Sequence, residues 1–439
     1  MAGRKGMANS PRDGAPLLGG PARDEVIACH ECGTVHRLPA MADDTMARCT
    51  ACDARIFIRF EQSVPRTLAL YLAALFLFLV ANSFPIITMA LEGQRNAATV
   101  LDSAKALYGD GMWPLALAVA LAGVVLPLAK ILGMLAILVP LQLGIRAPWI
   151  VSGFRWVERL QPWAMMEVYL LGVIVAYVKL QDLATIHLGI AIYAFVGTIV
   201  LLAAADARFD AHAIWRRLAA QAGTDVLAPR PGTTLIACEQ CDQLVRVPSG
   251  HAHANCPRCQ APLHRRKPDS VNRTWALILT ATILYIPANL LPVLTVVSFG
   301  QGAPSTIVGG VIELIHADMM PVALLVFFAS ILVPVLKLMG LVFLVVSVQL
   351  RWTSRLRDRT KLYRIIEGIG RWSMVDVFMT GILAALVALG NLATIAPGAG
   401  AVAFCGVVIV TIFASMSFDP RLMWDANNER NNGGGPLRV

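Results

Sequence analysis

The stretch Ala28-Cys-His-Glu-Cys-Gly33, followed by Arg48-Cys-Thr-Ala-Cys-Asp53, decides the organisation of this chain because both motifs return later. The second pair reads Ala237-Cys-Glu-Gln-Cys-Asp242 and Asn255-Cys-Pro-Arg-Cys-Gln260, and each pair precedes about 150 strongly apolar residues. The chain of 439 residues is therefore an internal duplication. Features kept by both copies indicate architecture, whereas features of only one copy are candidates for function.

The duplication continues through the apolar blocks. Five residues recur 207 positions later, so that Asn82, Pro85, Thr88, Pro127 and Lys130 return as Asn289, Pro292, Thr295, Pro334 and Lys337. Seven more, between Glu158 and Trp215, recur 209 positions later between Glu367 and Trp424. Each residue of one block can thus be compared with its equivalent in the other.

Composition determines the class of protein. Hydrophobic residues make up 57% of the chain, charged residues only 15%, and the mean hydropathy is +0.64, which excludes an ordinary soluble protein. Eight stretches are long enough to cross a hydrocarbon core of roughly 30 Å, near 67–90, 113–141, 162–181, 186–206, 273–297, 319–349, 372–391 and 395–416. The sequence predicts an all-α polytopic membrane protein with two tandem repeats, each a small four-cysteine zinc ribbon followed by a four-helix transmembrane bundle.

The expected domain boundaries follow from composition. Ribbons are predicted at 25–62 and 234–268, transmembrane bundles at 63–215 and 269–425, and a linker at 216–233. The polar segments 1–24 and 426–439 are predicted to be disordered tails, and no apolar signal peptide precedes the first ribbon.

Positive charge predicts the orientation in the membrane. Arginines concentrate in the loops after the second and sixth spans, whereas the loops on the opposite side carry little excess positive charge. The positive-inside rule therefore places both termini and both ribbons in the cytoplasm. This topology accounts for the net charge of +9 without any nucleic-acid partner.

Eight of the nine cysteines fit two structural metal sites. The ligand set is Cys29, Cys32, Cys49 and Cys52 in one ribbon, and Cys238, Cys241, Cys256 and Cys259 in the other. Four thiolates at this spacing can surround Zn²⁺ as a tetrahedron, and a module of about 35 residues needs such a metal to fold. Iron, a disulfide pair and a redox motif remain alternatives. We expect the nearby histidines to be solvent-exposed, namely His30, His36, His251, His253 and His264.

Ionisable residues within the predicted spans are candidates for function because burying a charge in a membrane is costly. Lys130 and Lys337 are equivalent, and so are Glu167 and Asp376. We expect each lysine to pair with the acid of its own bundle. A structural ion pair and a functional site are both consistent with this pattern.

Polar residues found in only one copy add to these candidates. Ser330, Ser373 and Thr411 of the second bundle stand where the first bundle has Gly123, Ala164 and Leu202. The first bundle instead has Lys179 and Asp182 near the outer end of its third span. Each hydroxyl alone is typical of a helix-backbone hydrogen bond. Together with Lys337 and Asp376, they predict a proton relay in the second bundle.

The motifs Asn82-Ser-Phe-Pro85 and Asn289-Leu-Leu-Pro292 predict a break at the outer end of the first span of each half. The segments 98–108 and 306–316 that follow are predicted to be interfacial helices that cap the bundle or contact a partner outside the membrane.

With these features assembled, residues 25–425 resemble the paraquat-inducible protein A family. The resemblance rests on the twin CxxC pairs, the Asn-x-x-Pro break, Pro-x-x-Lys in the second span of each half, and the closing Phe-Asp-Pro-Arg-Leu-x-Trp at 418–424. It implies an inner-membrane subunit, not an enzyme, that works with a periplasmic MCE-domain tunnel protein to move phospholipid or another lipid. The alternatives are a docking scaffold for the tunnel protein and a membrane redox or small-molecule export protein.

Overall fold

The computed structural model describes residues 25–38, 45–58, 63–91, 94–145, 147–181, 185–218, 232–248, 254–298, 301–370, 372–387 and 393–432. Asp182, His251 and His253 lie outside these residues, as do 1–24 and 433–439 of the two predicted tails. The described chain is mostly helical, with two four-cysteine groups.

The two halves contain the same elements in the same order. The helices of the first half are α1 (Ser63–Ser83), α2 (Val100–Gly109), α3 (Trp113–Ala120), α4 (Leu126–Gln142), α5 (Pro148–Leu160), α6 (Met166–Leu180), α7 (Ile190–Ala207) and α8 (Ala211–Leu218). Those of the second half are α9 (Ser270–Leu290), α10 (Ile307–His316), α11 (Met320–Phe327), α12 (Val333–Gln349), α13 (Leu356–Ile369), α14 (Val375–Leu386), α15 (Ala399–Ser417) and α16 (Leu422–Asn432).

Within the described residues, seven helical segments are long and apolar enough to cross a membrane. They are 64–83, 113–142, 148–180, 190–207, 320–349, 356–386 and 399–427. The remaining expected span, the fifth, near 273–297, corresponds to α9, whose first turns carry polar residues such as Asn272 and Arg273. Helix α9 packs along α15, as its equivalent α1 packs along α7. These features establish a multi-pass membrane protein.

The long second span of each half contains a π-helical turn before its proline. Residues 121–125 and 328–332 form these turns, which join α3 to α4 and α11 to α12. Pro127 and Pro334 follow at the second position of α4 and α12. A proline cannot donate to the preceding turn, so the wider turn accommodates the missing hydrogen bond.

The Asn-x-x-Pro motifs end α1 and α9, as the sequence predicts. Asn82 and Asn289 each donate to the carbonyl four residues earlier, on Phe78 and Tyr285, at 2.9 Å. The predicted outer helices are present as α2 and α10, and Thr99 caps α2 through a capping box with Asp102.

The structure adds a three-stranded antiparallel sheet to the outer end of each half, which the sequence analysis missed. Strand β5 (Ile87–Leu91) lies between β6 (Gln94–Ala98) and β7 (Thr185–Leu188), and β12 (Leu294–Ser298) lies between β13 (Gln301–Ser305) and β14 (Ala393–Pro397). Each sheet ties the end of the first span to the start of the fourth.

The ribbons lie at the opposite end of the molecule. Ribbon 1 consists of the hairpins β1 (Glu25–Ala28) with β2 (Val35–Leu38) and β3 (Met46–Arg48) with β4 (Arg55–Ile58). Ribbon 2 consists of β8 (Thr233–Ala237) with β9 (Leu244–Pro248) and β10 (Ala254–Asn255) with β11 (Pro262–Leu263).

Each ribbon packs against the other half of the protein. Ribbon 1 shares a hydrophobic cluster with Leu341, Ile366 and Trp424 of the second half. Ribbon 2 shares a cluster with Phe154 and Trp215 of the first half. The main contact surfaces are α13 and α5, amphipathic helices at positions where the sequence analysis expected only loops.

The halves meet through α6 and α14. Gly172 of α6 lies so close to α14 that an added Cβ would stand 3.0 Å from the Cβ of Phe378 and 3.2 Å from the nitrogen of Met379. Helix α14 is buried along nearly its whole length because it also packs against α2 of the first half.

The chain beyond residue 425 differs from its prediction. Residues 426–432 continue α16 rather than beginning a disordered tail. Met423 and Trp424 are buried at the start of this helix, and Asp425 forms an ion pair with Arg266. These contacts fix the first turn, from which the helix extends.

Candidate functional site

Each ribbon gathers its four cysteines into one buried group. The Sγ–Sγ distances are 3.5 Å for Cys29–Cys52 and 3.4 Å for Cys32–Cys49 in ribbon 1. In ribbon 2, the corresponding contacts of Cys238 with Cys259 and of Cys241 with Cys256 are 3.4 and 3.6 Å. Ligands about 2.3 Å from Zn²⁺ would stand about 3.8 Å apart, so both groups fit one tetrahedral ion each.

Local backbone geometry prepares these sites. The residue after each CxxC motif adopts a positive φ, namely Gly33, Asp53, Asp242 and Gln260. This conformation closes the turn so that both sulfurs of a motif point to one centre. Four buried thiolates this close together would repel one another, so a bound cation would be needed to keep all four charged.

Two further side chains near ribbon 1 differ in exposure. His30 is exposed, as the sequence analysis expected, whereas His36 is partly buried with its Nε2 atom 3.2 Å from Cys49 Sγ. His36 therefore contacts a ligand sulfur rather than solvent alone. The predicted position of His30 is confirmed, and that of His36 is wrong.

Lys130 does not pair with Glu167, contrary to the prediction from the sequence. Its Nζ donates instead to Asp206 at the end of α7, at 2.6 Å, and Tyr71 of α1 donates to the same carboxylate at 3.0 Å. Glu167 is exposed. The equivalents of Tyr71 and Asp206 are Ile278 and Ser415, so this cluster exists only in the first half.

Lys337 lies in a different environment from its equivalent. It is 4% exposed, and its Nζ donates to Thr411 Oγ1 at 3.3 Å. Gly370 makes room for this ammonium group, because a Cβ there would overlap Nζ. Lys337 therefore contacts one hydroxyl of the predicted relay, while the expected pair with Asp376 is not formed.

Asp376 faces the first half instead. Its carboxylate interacts electrostatically with Lys179 of α6, and Ser330 lies beside it. The predicted network is thus two clusters, one at Lys337 and Thr411 and one at Asp376, Ser330 and Lys179. Ser330 and Ser373 have buried hydroxyls without a hydrogen-bond partner within the described part of the chain.

A cavity of about 340 Å³ joins the second cluster to apolar side chains. It lies among α6, α10, α11, α14 and α15, and its polar lining consists chiefly of Lys179, Glu313, Ser330 and Asp376. The apolar lining includes Val326, Met379 and Phe404. The volume is within the range of small-ligand pockets. We name it the second-half cavity.

The equivalent position in the first half has different neighbours. Tyr169 of α6 packs over Gly123, the counterpart of Ser330, and its hydroxyl lies 3.2 Å from Ser103 Oγ. The counterparts of Tyr169 and Ser103 are Phe378 and Gly310, and Gly310 lines the second-half cavity. The two halves therefore differ in just the region where the sequence analysis expected function.

Three residues of these clusters were not predicted from the sequence, namely Asp206, Tyr71 and Glu313. Asp206 could have been found by the comparison of the halves, because an acid in the fourth span has Ser415 as its counterpart. Glu313 lies in the predicted outer helix, where an acid is ordinary, so its place in the cavity depends on how α10 packs.

Comparison with known proteins gives the family. The family model described as "Paraquat-inducible protein A" matches residues 64–219 and again residues 271–428. The chain belongs to the paraquat-inducible protein A family. Its double match confirms the tandem repeat.

Relatives in this family match almost the whole chain. Intermembrane transport protein PqiA of Escherichia coli (strain K12) is 32% identical over 415 residues, which cover 92% of this chain and 96% of the relative. Lipophilic envelope-spanning tunnel protein A of the same organism is 30% identical over 411 residues, 93% of each. A probable intermembrane transport protein of Haemophilus influenzae is 26% identical over 404 residues, 91% of this chain and 96% of the relative. No solved structure matches the chain.

Proposed function

We propose that this protein is the membrane subunit of an envelope lipid transport system and that the second-half cavity is its substrate site. The observation that carries this proposal is an apolar cavity with charged and hydroxyl groups, at a place where the first half carries different side chains. A cavity of this kind suits an amphipathic ligand, whose tail contacts apolar side chains while its headgroup meets the polar ones. Two relatives are named as intermembrane or envelope-spanning transport proteins, which agrees with this role.

In this proposal the protein lies in the bacterial inner membrane with four spans per half and with both ribbons and both termini in the cytoplasm. The amphipathic helices α5 and α13 lie at the ribbon end and carry Arg155, Arg159, Arg357 and Arg364. Positive charge at that end supports a cytoplasmic location. The metal in each ribbon would be Zn²⁺, since closed four-thiolate sites favour it, with iron as the alternative.

The partner in this proposal is a periplasmic tunnel protein with MCE domains. The outer sheets and the helices α2 and α10 form the end of the molecule opposite the ribbons, where such a partner would dock. A relative bears the name lipophilic envelope-spanning tunnel protein A, which supports a tunnel partner for this chain as well.

We further propose that proton movement drives transport through the two polar clusters. Lys337 with Thr411 forms one station, and Asp376 with Ser330 and Lys179 forms the other. Ser373 lies buried on the segment that leads into α14 and would connect them. A charge at mid-membrane costs about 2.5–3.5 kcal/mol. Protonation changes at these residues would therefore couple strongly to helix packing.

A photoactivatable phospholipid tests the substrate site. The full-length protein in lipid nanodiscs containing this probe is irradiated, and labelled peptides are mapped by mass spectrometry. We expect labelling to be enriched in peptides of α10 and α14 that line the cavity. Gly310→Leu should reduce it because Gly310 lines the cavity, whereas Gly309→Leu on the next position should not. Labelling spread evenly over the membrane-facing helices in all variants would contradict the proposal and favour a docking scaffold.

A further inference from the structure

Arg155 and Arg364 are equivalent residues on α5 and α13, and each reaches a metal site carried by the other half. Arg155 Nη1 donates to the carbonyl of Cys259 at 3.2 Å. Arg364 Nη2 donates to the carbonyl of Cys52 at 3.1 Å. Because Cys52 and Cys259 are also equivalent, the same contact occurs twice, once in each direction between the halves.

The contact at ribbon 1 includes the ligand atom itself. Arg364 Nη2 lies 3.8 Å from Cys52 Sγ, and Arg364 Nε donates to both carboxylate oxygens of Glu31 at 2.7 Å. Glu31 stands between Cys29 and Cys32 in the first CxxC motif. At ribbon 2 the residue in the corresponding place is Gln240, and it donates to Glu158 of α5 at 2.7 Å. Each amphipathic helix thus contacts both CxxC motifs of one ribbon.

Electrostatics gives these arginines a role beyond docking. A divalent ion with four thiolates carries a net charge of about −2, and both groups of cysteines are buried. A guanidinium group beside such a centre lowers its free energy and keeps the ligand turn in place. Groups that orient metal ligands in this way typically contribute 10–100-fold to metal affinity.

We propose that Arg155 and Arg364 are positioning residues that complete the metal sites in trans, so that each half of the protein stabilises the metal held by the ribbon of the other half. The two sites are then coupled to the packing of the halves rather than being independent folding modules. This inference does not depend on the substrate that the membrane bundles carry.

Site-resolved metal release tests the proposal on purified full-length protein. Metal content is first measured by plasma mass spectrometry, with about two ions per chain expected. A chromogenic chelator then removes metal while iodoacetamide marks each cysteine as it becomes free, and peptides are identified by mass spectrometry. Arg364→Gln should speed labelling of the ribbon 1 cysteines about 10–100-fold and leave ribbon 2 unchanged. Arg155→Gln should show the reverse pattern.

Two controls on α13 separate metal stabilisation from other effects. Lys361→Gln changes an exposed residue of the same helix and should behave like the parent protein. Arg357→Gln removes hydrogen bonds to the carbonyls of Thr50 and Ala51, which dock the ribbon without touching a cysteine. If Arg364→Gln fails to fold, Arg364→Lys takes its place. It retains the positive charge, so its rate of cysteine labelling should exceed that of the parent protein by less than about 10–100-fold. Equal acceleration by Arg357→Gln, or labelling of the ribbon in the same half, would overturn the proposal.

Discussion

At the scale of single residues, the two equivalent lysines have different partners. Lys130 donates to the carboxylate of Asp206, whereas Lys337 donates to the hydroxyl of Thr411 and interacts electrostatically with Glu367. A buried cation is expensive to keep charged in a membrane, even with such an interaction. In the proposed proton-coupled mechanism, Lys337 is the lysine whose charge state would change.

We predict that Lys337→Ala, Asp376→Ala or Thr411→Val abolishes function at normal protein levels, while Lys130→Ala has a milder effect. The reason is that the first three belong to the polar clusters of the second half, and Lys130 holds helices together. The measurement is complementation of a strain that lacks the protein, with immunoblotting for its amount. Equal severity of Lys130→Ala and Lys337→Ala would show that both lysines are structural.

The ion pair of the first half should matter chiefly for stability. We predict that Lys130→Met lowers the thermal midpoint of the purified protein, because it leaves the Asp206 carboxylate with only Tyr71 as a partner. The expected cost is about 1–3 kcal/mol. Asp206→Asn combined with Lys130→Met should recover part of it, since no charge is then stranded. If the double variant is destabilised by the sum of the losses measured for Lys130→Met and Asp206→Asn alone, the two side chains do not form a direct pair.

Comparison of the two halves of the sequence identified polar residues within one bundle but not contacts between the bundles. Thr411 and Lys337 were predicted to belong to one polar group of the second bundle, and they are in contact. The predicted pairs of Lys130 with Glu167 and of Lys337 with Asp376 were wrong. That reasoning confined each contact to one bundle, whereas Asp376 interacts with Lys179 across the interface between the halves. Contacts between repeats leave no spacing pattern in the sequence.

At the scale of helices and strands, hydropathy located the spans well and their boundaries less well. The third and seventh spans were expected near 162–181 and 372–391, and α6 and α14 run over 166–180 and 375–386. The first residues of the fourth and eighth expected spans form β7 and β14 instead. These short strands are apolar enough to resemble the beginning of a helix, and only their pairing with β5 and β12 identifies them.

The crossing of α6 and α14 gives a prediction at this scale. Gly172→Ala should lower the thermal midpoint, because the added methyl group would press on Phe378 and on the backbone of Met379. The expected loss in free energy of unfolding is about 1–3 kcal/mol. Gly368→Ala on α13 is the matched control, since a Cβ there meets no atom within 4 Å. The measurement is thermal unfolding in detergent by intrinsic fluorescence. Equal midpoints for the two variants would mean that the helices separate readily at this point.

At the scale of the whole molecule, the ribbons connect the two halves. Ribbon 1 follows the polar N-terminal segment in the chain but contacts α13 and α16, and ribbon 2 precedes the second half but contacts α5 and α8. The sequence predicts the ribbons and the repeat, because the cysteine spacing is local and occurs twice. It does not predict that each ribbon packs on the opposite half, because that depends on how the halves face one another. Each ribbon therefore packs on the half to which the chain order does not assign it.

The packing of each ribbon on the opposite half predicts which helix loses protection when a cysteine of one ribbon is replaced. In Cys29→Ser, ribbon 1 loses a ligand and should detach from α13, so hydrogen exchange should rise in residues 356–369 while residues 148–160 stay protected. Cys238→Ser should have the opposite effect, because ribbon 2 covers α5. The two variants are controls for each other, as they remove equivalent ligands from equivalent modules. Hydrogen exchange followed by mass spectrometry on the full-length protein makes the measurement. Faster hydrogen exchange in α5 after Cys29→Ser, with α13 unchanged, would mean that each ribbon stabilises its own half and does not pack on the opposite half in solution.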